Sequence, residues 1–254
     1  MNNRGRLLHE YLQYCRRYRR KHRSFRIHAE TPPPRGISKR IGSIRQLQAQ
    51  GYEYLTVSCE AALISNLRIQ MELLNNFAFT DSEWSRFFTE NLASANEGIV
   101  QKTQKIQDDY VQILKRDDGS TKNIYLMDKR NIYNNCLQVI NQYKEAGGAH
   151  ETRYDVTILV NGLPIVHIEL KRRGVAIREA FNQIKRYQRE SFWAASGLYE
   201  YVQIFVVSNG THTKYYSNTT RSQHIKEAAE SANQRKPATV SSLQATGRTY
   251  QIES

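Results

Sequence analysis

The sequence is poor in cysteine and contains no long apolar run. Its 254 residues include three cysteines, Cys15, Cys59 and Cys136, which lie far apart and form no C-x-x-C pair. This spacing argues against a disulfide framework or a structural zinc site, and it favours a reducing, cytoplasmic location. No stretch approaches the ~18–20 apolar residues of a membrane-spanning helix, and the N-terminus lacks a signal-peptide core. We therefore expect no membrane partner.

A phosphate-binding loop is also missing. The pattern G-x-x-x-x-G-K-[ST] does not occur in the sequence, so we do not expect these residues to hydrolyse ATP by themselves. Hydrophobic residues nevertheless make up 39% of the chain and charged residues 24%. This composition excludes a uniformly disordered or fibrous chain, and the length predicts one full domain with terminal extensions or at most two small domains.

Positive charge is unevenly distributed along the chain. The formal net charge is +13, and residues 1–50 hold 13 Lys/Arg against two acidic residues, whereas residues 51–220 hold 19 of each sign. Within this neutral part, residues 171–189 hold seven basic residues and one acidic residue. Such a strip fits either a solvated helix face or a surface that binds DNA phosphates. We predict three segments: a basic, poorly ordered segment over 1–43, a folded domain over 44–220 and a tail over 221–254.

Hydrophobic periodicity predicts an α/β fold with a mixed sheet. A short strand is predicted at residues 52–57, followed by a helix that is capped by Ser58 or a neighbour. Thr80 with Glu83 predicts a capping box for a second helix, which ends near Leu92. Residues 106–114 fit either a helix or a strand. Apolar residues from Ile177 to Tyr187 recur at helical spacing. The other predicted strands cover residues 136–142, 153–160, 164–171, 201–208 and 213–217.

The strongest candidate for chemistry lies on the predicted hairpin around Asn161-Gly162. Alternation along its second strand places Glu169 and Lys171 on one face, a spacing that is also common in surface ion pairs. Asp155 on the first strand makes the pattern more specific. Two carboxylates that meet supply hard oxygen ligands for Mg²⁺, and the backbone carbonyl of Leu170 adds a third. Lys171 would then orient or deprotonate a water that attacks a phosphate, and stabilise the developing charge.

The meeting of these carboxylates constrains the register of the hairpin. A regular two-residue turn at Asn161-Gly162 would pair Asp155 with Ile168 and send Asp155 and Glu169 to opposite faces. The two converge only if the loop has an odd number of residues or the hairpin contains a bulge. We predict a three-residue loop over 161–163, with Gly162 in the left-handed conformation of a bulge.

The predicted helix after the hairpin adds a second group of polar residues. Gln183 and Tyr187 are spaced i, i+4 and so lie on one face of that helix. Tyr187 taken alone fits core packing with its hydroxyl at the rim. Basic residues surround the pair and are candidate DNA contacts: Arg173, Lys185, Arg186 and Arg189.

The combined pattern resembles the nuclease domain of type I restriction-modification R subunits, over roughly residues 46–221. The matching segments are Arg153-Tyr154-Asp155-Val156, Asn161-Gly162-Leu163-Pro164, Ile168-Glu169-Leu170-Lys171, the run from Glu179 to Tyr187 and the run from Gln203 to Gly210. The resemblance implies a PD-(D/E)xK (restriction-endonuclease-like) mixed sheet flanked by helices. It also implies that Asp155, Glu169 and Lys171 form the metal and catalytic triad. Gln183 and Tyr187 would be the Q-x-x-x-Y motif that supports DNA cleavage.

The same resemblance implies partners and cofactors. In that family the R subunit cuts double-stranded DNA together with modification and specificity subunits, after translocation driven by ATP. We therefore expect Mg²⁺ at this site, and ATP only through a motor region absent from this chain. The alternatives are a truncated fragment that binds DNA or partner subunits without cutting, and a motor-independent repair or junction nuclease with the same fold.

The ends of the chain depart from the family pattern. Members open the nuclease domain with a helix that carries glutamates, whereas residues 36–43 contain no acidic residue. The part after about residue 220 is equally unlike the family. Together with the missing phosphate-binding loop, these departures predict a fragment, a truncated gene product or an isolated domain of an R subunit. We hypothesise that both ends derive from a shifted reading frame or a mis-set start.

Five further residues have ordinary structural interpretations. His167 shares a strand face with Glu169 but is expected to be a packed or rim histidine rather than a third metal ligand. Trp84 and Trp193 are expected to pack helices rather than stack on bases. Cys59 and Cys136 are expected to be small buried groups without reactivity.

Overall fold

The computed structural model describes residues 35–57, 59–145 and 152–218. The described residues do not include Ser58, the predicted C-terminal tail or the part of the predicted basic segment before residue 35. The α-helices of these ranges are α1 (Arg35–Ala49), α2 (Glu60–Asn75), α3 (Asp81–Phe87), α4 (Ile99–Gln107) and α5 (Ile177–Glu190). Within the same ranges, none of the helices combines the length and the apolar character that a bilayer span requires.

The strands form a mixed sheet and a separate hairpin. They are β1 (Glu53–Leu55), β2 (Val111–Lys115), β3 (Thr121–Tyr125), β4 (Leu137–Glu145), β5 (Thr152–Val160), β6 (Leu163–Leu170), β7 (Ile204–Ser208) and β8 (Thr213–Ser217). Six of them make one sheet in the order β1-β4-β5-β6-β7-β8, and β2 pairs only with β3. The β1–β4 and β6–β7 pairs are parallel and the others antiparallel. This is the expected mixed α/β architecture of a restriction-endonuclease-like fold, in which α5 makes the crossover between β6 and β7.

Most predicted elements are present, with shifted boundaries. The capping box at Thr80 is confirmed: the Thr80 side chain accepts a hydrogen bond from the Glu83 amide, and the Glu83 carboxylate accepts one from the Thr80 amide. Helix α3 then continues into a π-helical turn, Phe88–Leu92. The ambiguous residues 106–114 contain both the end of α4 and the start of β2. The strand predicted from residue 201 begins at Ile204, because a 3₁₀ turn, Leu198–Tyr201, precedes it. Residues 35–43 of the predicted basic segment belong to α1.

The β5–β6 hairpin has a tighter turn than predicted. Val160 pairs with Leu163, so the loop is the two residues Asn161 and Gly162, with φ values of 50° and 83°. Positive φ at both positions is typical of a type I′ turn. The prediction of a three-residue loop over 161–163 is therefore wrong. Asn161 tolerates this conformation because its side chain accepts a hydrogen bond from the Cys136 amide and donates to Asn135 and to the Leu126 carbonyl.

A β-bulge in the same hairpin restores the register that the carboxylates need. Leu159 pairs with Pro164 but Ile158 pairs with Val166, so Ile165 is an extra residue on β6. Pro164 has no N–H to donate to the ladder, which favours an irregularity beside it. The Ile165 carbonyl instead accepts from the Gln203 amide at 2.8 Å. The alternative condition, that a bulge brings Asp155 and Glu169 together, is thus confirmed.

Buried side chains form two groups that fix helices to the sheet. In the larger group, α5 contributes Ala180, Ile184 and Tyr187, whose spacing confirms the predicted apolar face of that helix. Tyr154 of β5 is buried in this group, and its ring centroid lies 5.0 Å from that of Tyr187 and 5.3 Å from that of Phe192. In the smaller group, Ile44 of α1 packs with Val139 and Val156. The aromatic contacts of Tyr154 therefore hold the backbone next to Asp155 against α5.

Gly162 is a position where we expect a large loss of stability on substitution. A Cβ atom there would lie 2.6 Å from the Leu67 Cα of α2, and the φ of 83° is itself unfavourable for alanine. Gly162→Ala should lower the free energy of unfolding by about 3–4 kcal/mol. Gly119→Ala is the matched control, because Gly119 has a φ of 82° and an added Cβ would meet no atom of the described residues within 4 Å. Gly119→Ala should lower the free energy of unfolding by only about 1–2 kcal/mol. If chemical denaturation shows equal losses for the two variants, then the close approach of Gly162 to α2 contributes nothing to the loss.

Candidate active site

The bulged hairpin places the two acidic residues opposite each other. Because Val156 pairs with Ile168, the next positions outward are Asp155 and Glu169. Asp155 is held there by the Leu170 amide, which donates to its Oδ2 atom at 3.1 Å. This contact ties the first carboxylate to the backbone of the strand that carries the second. The end of the β5–β6 pair thus brings together residues that are fourteen positions apart in the sequence.

Glu169 is buried with only part of its carboxylate satisfied. The residue is 1% exposed, and Oε1 accepts from Lys171 Nζ at 3.1 Å. Its Oε2 atom has no hydrogen-bond partner among the described residues. A buried carboxylate oxygen without a donor is costly, and a cation is one way to satisfy it.

Lys171 connects the hairpin to helix α5 through a chain of hydrogen bonds. Its ammonium group donates to Glu169 and also to Gln183 Oε1. Gln183 Nε2 donates to the Tyr187 hydroxyl, which in turn donates to the Arg153 carbonyl at 3.3 Å. The predicted i, i+4 pair therefore faces the sheet and positions Lys171, while the buried ring of Tyr187 also packs in the core.

The pKa of the Tyr187 hydroxyl is affected by both acidic residues. Burial raises the pKa of its hydroxyl to about 12, and the negative charges of Glu169 and Asp155 add to the effect against the opposing hydrogen bond from Gln183. The Tyr187 hydroxyl therefore keeps its proton at neutral pH, where it accepts from Gln183 and donates to the Arg153 carbonyl.

The residues present fit a hard divalent cation. Among the described residues no group of three or more His, Cys, Asp and Glu side chains could hold a metal ion, so a closed side-chain cage is not formed there. Asp155, Glu169 and the Leu170 carbonyl would instead supply oxygen atoms for an ion that keeps several water ligands, as Mg²⁺ does. The unpartnered Oε2 atom of Glu169 is the observation that favours this fit.

The predicted DNA-contacting residues are exposed beside this group. Arg173, Lys185, Arg186 and Arg189 are all exposed. Lys185 Nζ lies 4.5 Å from the centroid of the Phe181 ring and Arg186 lies 5.7 Å from that of Tyr187. Arg189 forms an ion pair with Glu190 at 2.5 Å. These contacts orient the basic groups on α5 without burying them.

Some of the residues with predicted packing roles are placed differently. Trp84 is buried against Phe79, as predicted. Trp193 is 55% exposed with its indole N–H donating to the Arg189 carbonyl, so its predicted packing role is wrong. Cys59, the N-cap residue of α2, is exposed and Cys136 is only partly buried, so neither is the buried group predicted.

Gln142 is a candidate site residue that sequence reasoning missed. It lies opposite Asp155, since Asn141 pairs with Val156 and Tyr143 with Tyr154. Its φ of 57° is unusual for a strand residue, and its side-chain nitrogen is buried without a hydrogen-bond partner among the described residues. Such strain is concentrated at functional sites. No motif or spacing marks this glutamine, because only the β4–β5 pairing brings it to Asp155.

The chain matches a known family over most of its length. A family model described as "Type I restriction enzyme R protein N terminus" covers residues 41–224. This range agrees with the resemblance over roughly residues 46–221 that the sequence motifs indicated.

Curated relatives are named as endonuclease subunits of type I restriction enzymes. The chain is 54% identical over 179 residues to a type I restriction enzyme EcoprrI endonuclease subunit of Escherichia coli, which covers 70% of this chain and 57% of that subunit. It is 39% identical over 180 residues to a type I restriction enzyme SsaAORF53P endonuclease subunit of Staphylococcus saprophyticus, with 69% and 18% covered. The chain thus spans little more than half of the first relative and less than a fifth of the second.

Proposed function

Because the chain belongs to the family of type I restriction enzyme R protein N-terminal regions, we propose that it is a Mg²⁺-dependent endonuclease domain that cleaves phosphodiester bonds of double-stranded DNA. The observation that carries this proposal is the arrangement at Glu169. One oxygen of this buried carboxylate is bound by Lys171, and the other lies without a hydrogen-bond partner among the described residues at the site shared with Asp155.

Each residue has a role that follows from its contacts. Asp155, Glu169 and the Leu170 carbonyl would hold the ion, which supplies a polarised phosphate oxygen and a water of lowered pKa. The Leu170 amide fixes the orientation of Asp155. Lys171 has three N–H donors, of which two contact Glu169 and Gln183. The third is available to orient the attacking water or to stabilise the charge that develops on the phosphate.

The helix α5 would support the DNA beside the reacting phosphate. Its exposed basic residues Lys185, Arg186 and Arg189, together with Arg173 before the helix, supply charge for phosphate contacts. Gln183 and Tyr187 hold Lys171 from the same helix. DNA that binds along α5 is therefore coupled to the position of the lysine.

The proposal extends to the complex in which the domain works. Modification and specificity subunits of a type I complex are the proposed protein partners, and ATP would act only through a motor region of an R subunit. A cytoplasmic location is part of the same proposal, and the small number of cysteines, none of them in a C-x-x-C pair, supports it.

Metal-dependent nicking of supercoiled plasmid by the purified chain tests this function. Nicking should be absent in EDTA and should rise to a plateau as Mg²⁺ is added, because the carboxylates need a cation to bind the phosphate. The plateau rate should fall with added salt, since phosphate contacts are screened.

Two results would favour the alternatives. DNA binding in a mobility-shift assay without nicking at any Mg²⁺ concentration would indicate a non-catalytic fragment. Absence of a motor coding region just downstream of this sequence at its locus would indicate a motor-independent nuclease.

A further inference from the structure

His167 is a buried histidine whose ring nitrogens have no hydrogen-bond partner among the described residues. It lies on β6 two residues before Glu169 and is 0% exposed. An unsatisfied buried donor or acceptor is unfavourable, so a histidine in such a place needs a reason.

The surroundings of His167 are aromatic on three sides. Its ring makes edge contacts with Tyr154, Tyr187 and Phe192, with centroids 5.4, 5.9 and 5.7 Å away. The polar group that faces it is Glu169, whose Oε2 atom lies 3.7 Å from His167 Nε2. That same Oε2 atom is the one without a hydrogen-bond donor in the described part of the chain.

Two unsatisfied buried atoms therefore face each other at slightly more than hydrogen-bond distance. A shift of roughly 0.5 Å would bring Nε2–H into hydrogen-bond range of Oε2. A carboxylate oxygen has two lone pairs, so Oε2 can accept from His167 and still contribute to a cation. The rings of Tyr154, Tyr187 and Phe192 pack around the imidazole, and its Nε2 atom lies on the side of Glu169.

We propose that His167 is a positioning residue that holds the Glu169 carboxylate in the orientation required to bind the divalent cation. The proposal rests on the proposed function, because it assigns Glu169 the role of metal ligand. Lys171 fixes one oxygen of Glu169 and His167 fixes the other, so the carboxylate cannot rotate about its last bond. Donors of this kind behind a metal ligand typically change metal affinity by 10–100-fold.

The test compares two substitutions by metal binding in the absence of DNA. His167→Phe keeps an aromatic ring among Tyr154, Tyr187 and Phe192 but removes the hydrogen-bond donor. His167→Gln keeps a donor near the position of Nε2. Titration calorimetry with Mg²⁺, and paramagnetic resonance with Mn²⁺, should show a loss of about tenfold in affinity for His167→Phe. His167→Gln should restore affinity to within a few-fold of the original chain.

The control variant is Phe87→Leu, which removes a buried ring of α3 that stacks on Phe79, and removes no polar group. It should lower the melting temperature and leave metal affinity unchanged. Affinity that is unchanged in His167→Phe would overturn the proposal, as would a loss confined to Mn²⁺, which indicates a direct nitrogen ligand. If the original chain binds metal no better than Glu169→Ala, the proposed function fails and this role of His167 fails with it.

Discussion

Glu169→Ala and Asp155→Ala are each expected to reduce Mg²⁺-dependent DNA cleavage by about 10³-fold or more. The first substitution removes a carboxylate that is buried beside Lys171, and the second removes the acceptor of the Leu170 amide. Each also deletes one of the two negative charges that would attract the cation. Both effects act on the same step, so the double variant should be little worse than either single variant.

The measurement is the initial rate of plasmid nicking, together with Mg²⁺ affinity from calorimetry. Asp109→Ala is the matched control, because it removes an exposed carboxylate in the segment before β2 and has the same change in charge. It should leave both quantities unchanged. Cleavage at the original rate by Glu169→Ala would show that Asp155 and Glu169 do not form the metal site.

The elements that the sequence predicted well are those with local signals. Thr80 and Glu83 form their capping box within one helical turn, and the apolar spacing of α5 selects the face that is buried. The Asn161-Gly162 dipeptide specifies a tight turn because both residues accept positive φ. These signals act over a few residues, so they can be interpreted before any tertiary contact is known.

The hairpin shows where local signals become insufficient. Asn-Gly correctly indicates a turn, but the position of Asp155 relative to Glu169 depends on the extra residue at Ile165. The bulge beside Pro164 is compatible with the two-residue turn, whereas the predicted three-residue loop would replace that turn. Both solutions give the same pairing of carboxylates, so the pairing is predictable from the sequence while its cause is not.

The candidate site, too, is predictable from the sequence only in part. The residue types Asp155, Glu169 and Lys171 and the spacing of Gln183 and Tyr187 are visible in the sequence. Their hydrogen-bond chain from Lys171 to α5 depends on the crossover that packs α5 on β6. The burial of His167 and the strained backbone of Gln142 likewise arise from neighbouring strands and helices. No periodicity of a single segment encodes such contacts.

Lys171→Met is expected to lower the rate of cleavage by about 10³-fold while Mg²⁺ affinity stays within a few-fold of the original chain. Methionine keeps most of the length and apolar stem of lysine but has no N–H donor. The variant therefore loses the group that would orient water and stabilise the phosphate charge. The hydrogen bond to Glu169 Oε1 is lost as well, but removing the positive charge of Lys171 beside the site favours cation binding and offsets that loss.

Two further variants decide what Lys171 contributes. Lys171→Arg restores the positive charge, but a planar guanidinium does not match the contacts of a compact ammonium with Glu169 and Gln183. It should recover only a small part of the lost rate. Lys115→Met, which changes an exposed lysine at the end of β2, should cleave normally. If Lys171→Met loses Mg²⁺ affinity in proportion to its rate, then the lysine acts by holding Glu169 in place rather than on the phosphate.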